Sequence, residues 1–311
     1  MAYISSSPTV SGCTFADNGA FNSGGGMYNN ECGGLTVTDC RFERNAAVHN
    51  YGGGMLNWES DTTVANCTFS GSTASIDGGG IFNFLSDLTV TNCTFSGNTS
   101  KYGGGMYTHQ STLAVTDCTF CENTAQHGGG MRTSGSSSTM RNTILAANSP
   151  DDCDRPVNSA GYNVEGGTSC GCAEPTDQHN TDPLLGPLQD NGGATWTHAP
   201  LPCSPALDAI LAPYNGAPAT DQRGLPRPYP AGGYADIGAV ELQFAYPPGD
   251  VNGDGSIDLL DVVLCQQIAG DLVTATACWR SMADVDGDGD VDADDVTILS
   301  EYVLGIRTML P

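Results

Sequence analysis

The sequence has few basic residues. Its 311 residues include 10 Lys and Arg against 35 Asp and Glu, which gives a formal net charge of −25. Nucleic acids and anionic lipid surfaces are both bound largely through cationic side chains. The charge balance therefore predicts that the chain does not bind nucleic acid and is not drawn to an anionic membrane.

Long apolar runs are missing as well. No stretch approaches the roughly 20 apolar residues that a membrane-spanning helix needs, so no membrane insertion is expected. Residues 1–4 show neither the basic segment nor the apolar core of a signal peptide. Because the chain starts inside a repeat, we interpret it as a mature, truncated or fragmentary chain.

Helical periodicity is absent from the first half of the chain, and a repeat of about 25 residues takes its place. Each copy opens on three glycines and an apolar residue, and a second block with the pattern V-x-x-C-x-F runs in step with it. Self-similarity at a fixed period is typical of a solenoid. The cysteines of the second block are Cys13, Cys40, Cys67, Cys93 and Cys118.

Short strand-like runs, in which apolar and polar residues alternate, fill each repeat. They predict a parallel β-helix with three strands per coil, in which equivalent residues of successive coils stack about 4.8 Å apart. The five cysteines would form an interior ladder beside a phenylalanine ladder, because free Cys behaves as a small hydrophobe. A metal or redox track is the functional alternative for this ladder. An asparagine that recurs in most copies, Asn98 among them, would bond coil to coil at a corner.

The 13 cysteines are typical of an oxidising compartment, and we expect an extracellular or cell-surface location. Asn98-Thr99-Ser100 is an N-glycosylation sequon on an expected corner, which makes Asn98 a candidate glycosylation site. Disulfide candidates lie outside the ladder. They are Cys153, Cys170, Cys172 and Cys203 after the repeats, and Cys265 and Cys278 near the C-terminus.

Between residues 150 and 243 the glycine triplets give way to proline and cysteine. Distinct motifs occur here at 161–164, 181–188, 190–193, 204–208, 221–224 and 236–241. Together with the repeats, they resemble a family of secreted bacterial right-handed β-helix proteins with a choice-of-anchor type C-terminal region. The resemblance implies irregular coils that close the solenoid and hide its open sheet edge.

Residues 250–261 and 284–295 carry a calcium-loop pattern, with oxygen-bearing side chains at positions 1, 3, 5, 9 and 12 and glycine at position 6. Position 7 would contribute its carbonyl, and an apolar stretch that suits one helix follows each loop. The predicted ligands are Asp250, Asn252, Asp254, Ser256, Asp258 and Asp261 in the first loop, and Asp284, Asp286, Asp288, Asp290, Asp292 and Asp295 in the second.

Two such loops, each followed by a helix, resemble a type I dockerin. The resemblance implies two bound calcium ions and a protein partner, which is either cohesin-like or a neighbouring copy of this chain. The usual recognition residues, at positions 10 and 11, are Leu259-Leu260 in the first loop and Ala293-Asp294 in the second. Neither pair is the Ser-Thr of the best-known cohesin binders.

No catalytic constellation stands out in the repeats. A polysaccharide hydrolase needs paired carboxylates in register, and a lyase needs a base such as Arg41 or Lys101 beside clustered carboxylates. We therefore expect a non-enzymatic structural or display protein that attaches through calcium and polymerises head to tail into filaments. The alternatives are a dockerin-borne polysaccharide lyase or glycoside hydrolase, and a carbohydrate-binding adhesin that uses Tyr28, Trp58 and Tyr107.

The predicted organisation is a mainly β protein in four parts. Regular right-handed parallel β-helix repeats occupy 1–149, and irregular coils and a cap occupy 150–243. A linker at 244–249 leads to a small α-helical, dockerin-like calcium-binding domain at 250–311.

Overall fold

The computed structural model describes residues 1–4, 7–243, 247–275 and 277–310. The chain divides into two compact units, one made of Met1–Ala199 with Pro205–Gln243 and the other of Pro200–Ser204 with Phe244–Pro311. The predicted linker begins with residues 244–246, which lie outside the described residues.

The first unit is built of short strands separated by turns. In chain order they are β1 (Ala2–Ile4), β2 (Thr9–Ser11), β3 (Thr14–Ala16), β4 (Gly19–Ala20), β5 (Met27–Asn30), β6 (Gly33–Thr38), β7 (Arg41–Glu43), β8 (Ala46–Ala47), β9 (Met55–Trp58), β10 (Asp61–Ala65), β11 (Thr68–Ser70), β12 (Thr73–Ala74), β13 (Ile81–Phe84), β14 (Leu88–Thr91), β15 (Thr94–Ser96), β16 (Met106–His109), β17 (Thr112–Thr116), β18 (Thr119–Cys121), β19 (Met131–Ser134), β20 (Ser137–Arg141), β21 (Ile144–Ala146), β22 (Asn158–Ser159) and β23 (Val164–Glu165), and a 3-10 helix spans Tyr214–Gly216.

The strands form three long parallel sheets. Sheet A holds β1, β5, β9, β13, β16 and β19; sheet B holds β2, β6, β10, β14, β17, β20 and β22; sheet C holds β3, β7, β11, β15, β18, β21 and β23. Strands β4, β8 and β12 form a fourth, shorter sheet. Met27 pairs with Met55, Met55 with Ile81, and Ile81 with Met106, so one coil takes 25 to 28 residues. The predicted parallel β-helix is confirmed.

Columns of identical side chains fill the interior. Five phenylalanine rings stack face to face with centroids 4.5–5.0 Å apart. Beside them, four cysteines of the predicted ladder are buried in the core, and the fifth, Cys13, is half-buried. The Cys67 Sγ accepts the Cys40 N–H at 3.4 Å and donates to the Ala65 carbonyl at 3.1 Å. Burial raises the pKa of the Cys93 thiol well above its usual range, which fits a packing role.

The glycine triplets serve close packing as well as turns. The first glycine of each triplet has a positive φ, as at Gly103 (65°). The second has no room for a side chain: a Cβ on Gly104 would lie 2.5 Å from the Gly129 carbonyl oxygen and 2.6 Å from that of Thr124. The triplets therefore bring the backbones of neighbouring coils together where two faces of the helix meet.

The predicted asparagine ladder links the coils from the inside. The Asn98 side chain is fully buried, and its amide nitrogen donates to the Phe69 carbonyl at 2.8 Å and to Asn123 Oδ1 at 2.9 Å. Because the amide faces the interior, the candidate glycosylation site at Asn98 is wrong. Ser72 stands in for asparagine in one copy, and its hydroxyl accepts the Asn45 N–H at 3.2 Å.

The predicted cap at 150–243 divides into two parts with different positions. Residues up to about 180 continue the solenoid as an irregular coil, in which Val164 bridges to Gln178. Val157 and Cys172 bury against the last regular coil and extend the core. We call the remaining residues, 181–199 and 205–243, the return segment; among the described residues, they contribute no strand to sheets A, B or C.

The return segment lies along the outer face of sheet C. The Arg41 guanidinium lies 4.4 Å from the centroid of the Trp196 ring. The Gln222 side chain accepts the Thr94 hydroxyl at 2.7 Å and donates to the Thr68 hydroxyl at 3.0 Å. These hydroxyls point outward from sheet C and are nevertheless buried. The segment thus satisfies the polar groups of a sheet face that would otherwise meet water.

A buried ion cluster holds the return segment in place. Arg227 is fully buried; it pairs with Asp117 of the repeats, lies 3.6 Å from Glu241 and donates to the Gly238 carbonyl at 2.9 Å. Glu241 accepts the Asp236 N–H at 2.9 Å. Burial raises the pKa of Asp117 and of Asp236 to about 6 and that of Glu241 to about 7.

The second unit contains three helices: α1 (Leu259–Ala269), α2 (Ala277–Ala283) and α3 (Ala293–Val303). α1 and α3 each begin with a capping box. The side chains of Asp258 and Asp261 at the start of α1 each accept a hydrogen bond from the other's backbone N–H, and Asp292 and Asp295 do the same at the start of α3. Val262, Cys265, Ile268 and Leu299 are among the side chains that form the core of this unit. The predicted calcium loops therefore lead directly into the paired helices.

Candidate calcium centres and partner surface

The first predicted calcium loop is closed by its own carboxylates. Asp250 accepts the Gly253 N–H at 2.9 Å and the Gly255 N–H at 3.1 Å. Asp261, at position 12, accepts the N–H groups of Asn252 and Asp258, both at 2.9 Å. Position 12 is fully buried, so its side chain ties the two ends of the loop to the start of α1.

The second loop repeats this network residue for residue. Asp284 accepts the Gly287 N–H at 2.8 Å and the Gly289 N–H at 3.0 Å. Asp295 accepts the N–H of Asp286, the equivalent of Asn252, at 3.3 Å and the Asp292 N–H at 2.9 Å, and it also accepts the Val285 N–H at 2.8 Å. Two segments separated by 34 positions thus adopt one conformation, as their matching oxygen and glycine patterns predict.

The carboxylates of the second loop converge. One oxygen from each of Asp284, Asp286 and Asp295 lies within 4.8 Å of the others, and Asp290, Asp292 and Asp295 form a similar group. The Asp288 carboxylate nearby raises the pKa of Asp290. In the first loop, burial raises the pKa of Asp250. These all-oxygen donor sets fit a hard divalent cation of the calcium type.

The two helices that follow the loops present different surfaces. On α1, Leu259, Leu260 and Val263 are 66%, 62% and 44% exposed. Moving 34 positions along the chain, the equivalent residues of α3 are Ala293, Asp294 and Thr297, which are also exposed. The module is therefore symmetric in its loops and asymmetric in the chemistry of its surface.

The cysteines predicted to form disulfides differ in their oxidation state. Cys153 and Cys170 form a disulfide, and Cys203 is disulfide-bonded. Cys172 and Cys265 are reduced and buried. The side chain of Cys278 lies outside the described residues. Because Cys265 is reduced, its prediction as a disulfide cysteine is wrong.

The carboxylates of the repeats are engaged in structural contacts. Asp61 accepts the Asp87 N–H at 2.8 Å, and Asp87 accepts the Thr112 N–H at 3.3 Å. Asp39 accepts the Asn66 side chain at 3.1 Å, and Asp117 pairs with Arg227. Asp39, Asp61 and Asp87 thus link successive coils, whereas Asp117 joins the repeats to the return segment.

The aromatic residues considered for carbohydrate binding lie on the outer face of sheet A. Tyr28, Trp58 and Tyr107 occupy outward positions of β5, β9 and β16. The structure adds Tyr51 and Phe84 to this face. The strand alternation could have found Phe84, because it pairs in register with Trp58.

Two protein families match the chain. The right-handed β-helix region family matches residues 5–172, and the type I dockerin domain matches residues 248–304. The first match covers more than half of the chain, so the chain belongs to the right-handed β-helix family. No curated protein and no solved structure matches it.

The match to the type I dockerin domain carries functional information about the C-terminal segment. Type I dockerin domains bind calcium and attach to cohesin partners, typically on secreted or cell-surface proteins. The converging carboxylates occur in the matched segment. Among the described residues, no helix has the length and apolar character needed to cross a membrane.

Proposed function

We propose that the C-terminal module binds two calcium ions and thereby anchors a non-catalytic β-helix to a protein partner outside the cell. The observation that carries this proposal is the duplicated network of the two loops, in which position 1 and position 12 hold the same backbone groups. The ligands would be the twelve residues that the sequence pattern names, with the carbonyls of Ser256 and Asp290 at position 7.

Calcium supplies charge neutralisation and a common anchor for the oxygens of each loop. Without a cation, the like charges of Asp284, Asp286 and Asp295 repel one another at close range. A bound cation turns this repulsion into attraction and stabilises the start of the helix that follows each loop.

Calorimetric titration of the full chain with calcium tests the metal sites. We expect two binding events in the parent chain and one in each of Asp261→Asn and Asp295→Asn. Asp271→Asn is the matched control, because this exposed carboxylate pairs with Arg280 outside both loops. A parent chain that binds no calcium, or two events retained in both position-12 variants, would contradict the proposal.

The partner would bind to the α1 surface. Leu259, Leu260 and Val263 form an exposed apolar patch, whereas the equivalent α3 surface carries Asp294. An apolar patch gains free energy when a partner covers it. The asymmetry therefore favours one binding orientation over two equivalent ones.

Single substitutions at the equivalent positions of α1 and α3 test this orientation. In binding assays with a panel of cohesin domains in calcium, Leu260→Asp should weaken binding by roughly tenfold or more. Asp294→Ala, on the equivalent α3 position, should leave affinity unchanged. Equal losses in the two variants would mean that both surfaces bind, and the single-orientation proposal would be abandoned.

The β-helix would serve as a rigid carrier rather than an enzyme. Asp61, Asp87 and Asp117 are bonded to backbone groups or to Arg227 within the fold, which supports this assignment. Incubation with uronate-containing and neutral polysaccharides tests it. Release of unsaturated or reducing-end products would show that the β-helix is an enzyme.

Head-to-tail assembly into filaments remains a prediction. Electron microscopy of the full chain with calcium and with a chelator would test it. Calcium-dependent filaments are the expected result, and monomers at every calcium concentration would exclude assembly.

A further inference from the structure

The three long sheets differ on their outer faces. Sheet B presents threonine at many outward positions, such as Thr36, Thr63 and Thr89. The return segment covers sheet C. Sheet A instead carries aromatic rings, which water solvates poorly. A concentrated outward apolar surface of this kind marks an interaction site.

The aromatic rings of sheet A form rows along the axis of the solenoid. Leu56, Phe82 and Tyr107 are at most 8% exposed although they point outward, because rings on either side shield them. The Tyr51 ring lies 4.9 Å from that of Phe82. On the other side, Trp58 lies 4.3 Å from Phe84, measured between ring centroids.

Cationic side chains lie over the aromatic rings at one end of this face. The Arg132 guanidinium lies 4.4 Å from the centroid of the Tyr102 ring and 5.2 Å from that of Tyr107. The Lys101 ammonium lies 5.1 Å from the Tyr102 ring. The π faces of Tyr102 and Tyr107 are therefore already in contact with cationic side chains.

An open cleft of about 430 Å³ lies at the other end of the face. This volume falls within the usual range of ligand sites. Its walls combine aromatic rings with amides and hydroxyls. The lining residues are Asn22, Ser23, Tyr28, Asn30, Tyr51, Leu56 and Trp58.

The lining of the cleft defines the chemistry of its ligand. Among the described residues, the lining contains no charged side chain, although the chain as a whole has a net charge of −25; Glu31 and Glu59 accept hydrogen bonds from the lining residues Asn30 and Trp58. The lining offers polar side chains that are at least partly exposed, among them Asn22, Tyr28 and Tyr51. A ligand that fits must be uncharged, with an apolar face for the rings and polar groups for the amide and phenols.

We propose that this cleft binds a neutral glycan. A neutral sugar ring offers a C–H face that packs on Trp58 and hydroxyls that exchange hydrogen bonds with Asn22, Tyr28 and Tyr51. An acidic polysaccharide would be repelled by the net charge of the chain, and a basic ligand would find no carboxylate among the lining residues. The β-helix would then hold a glycan while the C-terminal module holds a protein.

Calorimetry on the full chain in a calcium chelator tests this proposal independently of the calcium module. The probes are neutral gluco-, xylo- and manno-hexasaccharides, with hexagalacturonate as the acidic comparison. We expect at least one neutral hexasaccharide to bind and Trp58→Ala to weaken it by roughly tenfold or more. Tyr51→Phe removes only one oxygen and should weaken binding by a few-fold. Tyr234→Ala, an exposed aromatic outside the cleft, should bind as the parent chain does.

Four outcomes would overturn the glycan assignment. They are binding to none of the neutral hexasaccharides, preference for hexagalacturonate, undiminished binding by Trp58→Ala, and a concentration-dependent dimer that Trp58→Ala disrupts. The last outcome would assign the cleft to a second copy of the chain. Thermal unfolding of each variant separates loss of the site from loss of the fold, and Tyr51→Phe retains the ring that packs on Phe82.

Discussion

The β-helix and the calcium module reach order by different routes. In the β-helix, each coil is a template for the next, with rings stacked 4.5–5.0 Å apart and buried amides joined across coils. In the module, carboxylates are drawn to within 4.8 Å of one another, which is unfavourable until a cation lies between them. The β-helix is stabilised by its own side chains, whereas we expect the module to need a bound cation in addition to its core.

Removal of calcium should separate the two units most sharply. At calcium concentrations about a thousandfold above the dissociation constant, each site contributes about 4 kcal/mol. A chelator should therefore abolish the helical signal of the module and expose it to proteolysis, while the β-sheet signal of the first unit persists. Far-UV circular dichroism and limited proteolysis measure this difference. Joint unfolding of both units would break the comparison.

Truncation of one stacked ring should be the most costly single change in the β-helix. Phe95 is fully buried between Phe69 and Phe120. Phe95→Ala should lower the free energy of unfolding by about 3–5 kcal/mol, because it leaves a cavity in a rigid column. Denaturant unfolding measures the loss. Phe21→Ala is the control, since this ring is 73% exposed, and it should cost little.

Addition of one methyl group at a close backbone approach should cost less, because neighbouring coils can shift slightly. Gly104→Ala should lower the free energy of unfolding by up to about 3 kcal/mol, since its Cβ would meet two carbonyl oxygens. Gly19→Ala is the matched control, with no heavy atom within 4 Å of its Cβ. Similar unfolding midpoints for the two variants would show that the triplets serve turns alone.

Acid should have opposite effects on the two units. Asp117, Asp236 and Glu241 titrate near pH 4 when unfolded and keep raised pKa values of about 6, 6 and 7 in the fold. Their stabilisation is complete below pH 4 and is lost as the pH rises to about 7. The β-helix should therefore gain stability, and its unfolding temperature should rise, between pH 7 and pH 5.

Thermal unfolding monitored by the β-sheet signal, in the presence of a chelator, measures this gain. Glu241→Gln should flatten the dependence, because it removes the group with the highest of the three pKa values. With calcium present, the module should respond in the opposite direction, since protonated carboxylates bind calcium poorly. A β-helix that loses stability on mild acidification would contradict the raised pKa values of Asp117, Asp236 and Glu241.

The parts of the fold that repeat or close locally could be predicted from the sequence. The V-x-x-C-x-F block set the register of sheet C, because each phenylalanine pairs with its copy one coil away. The calcium loops could be predicted for the same reason, since Asp250 and Asp261 bond to groups within twelve positions. The outcome at Asn98 differed, because a corner position does not reveal which way an amide points.

The position of the return segment could not be predicted from the sequence. Gln222 meets Thr94 at a separation of 128 residues and Thr68 at 154, and no periodicity connects them. The motifs at 221–224 and 236–241 indicated a family likeness. Their role in burying Arg227 with Asp117 became visible only in three dimensions.

The position of the return segment has a mechanical consequence. In a plain solenoid each coil contacts only its neighbours, so the array frays from an end one coil at a time. Here a single segment joins Arg41 in the second coil, Thr94 in the fourth and Ile144 in the sixth. A pull on one coil is therefore shared by distant coils, and the β-helix should unravel in one cooperative step.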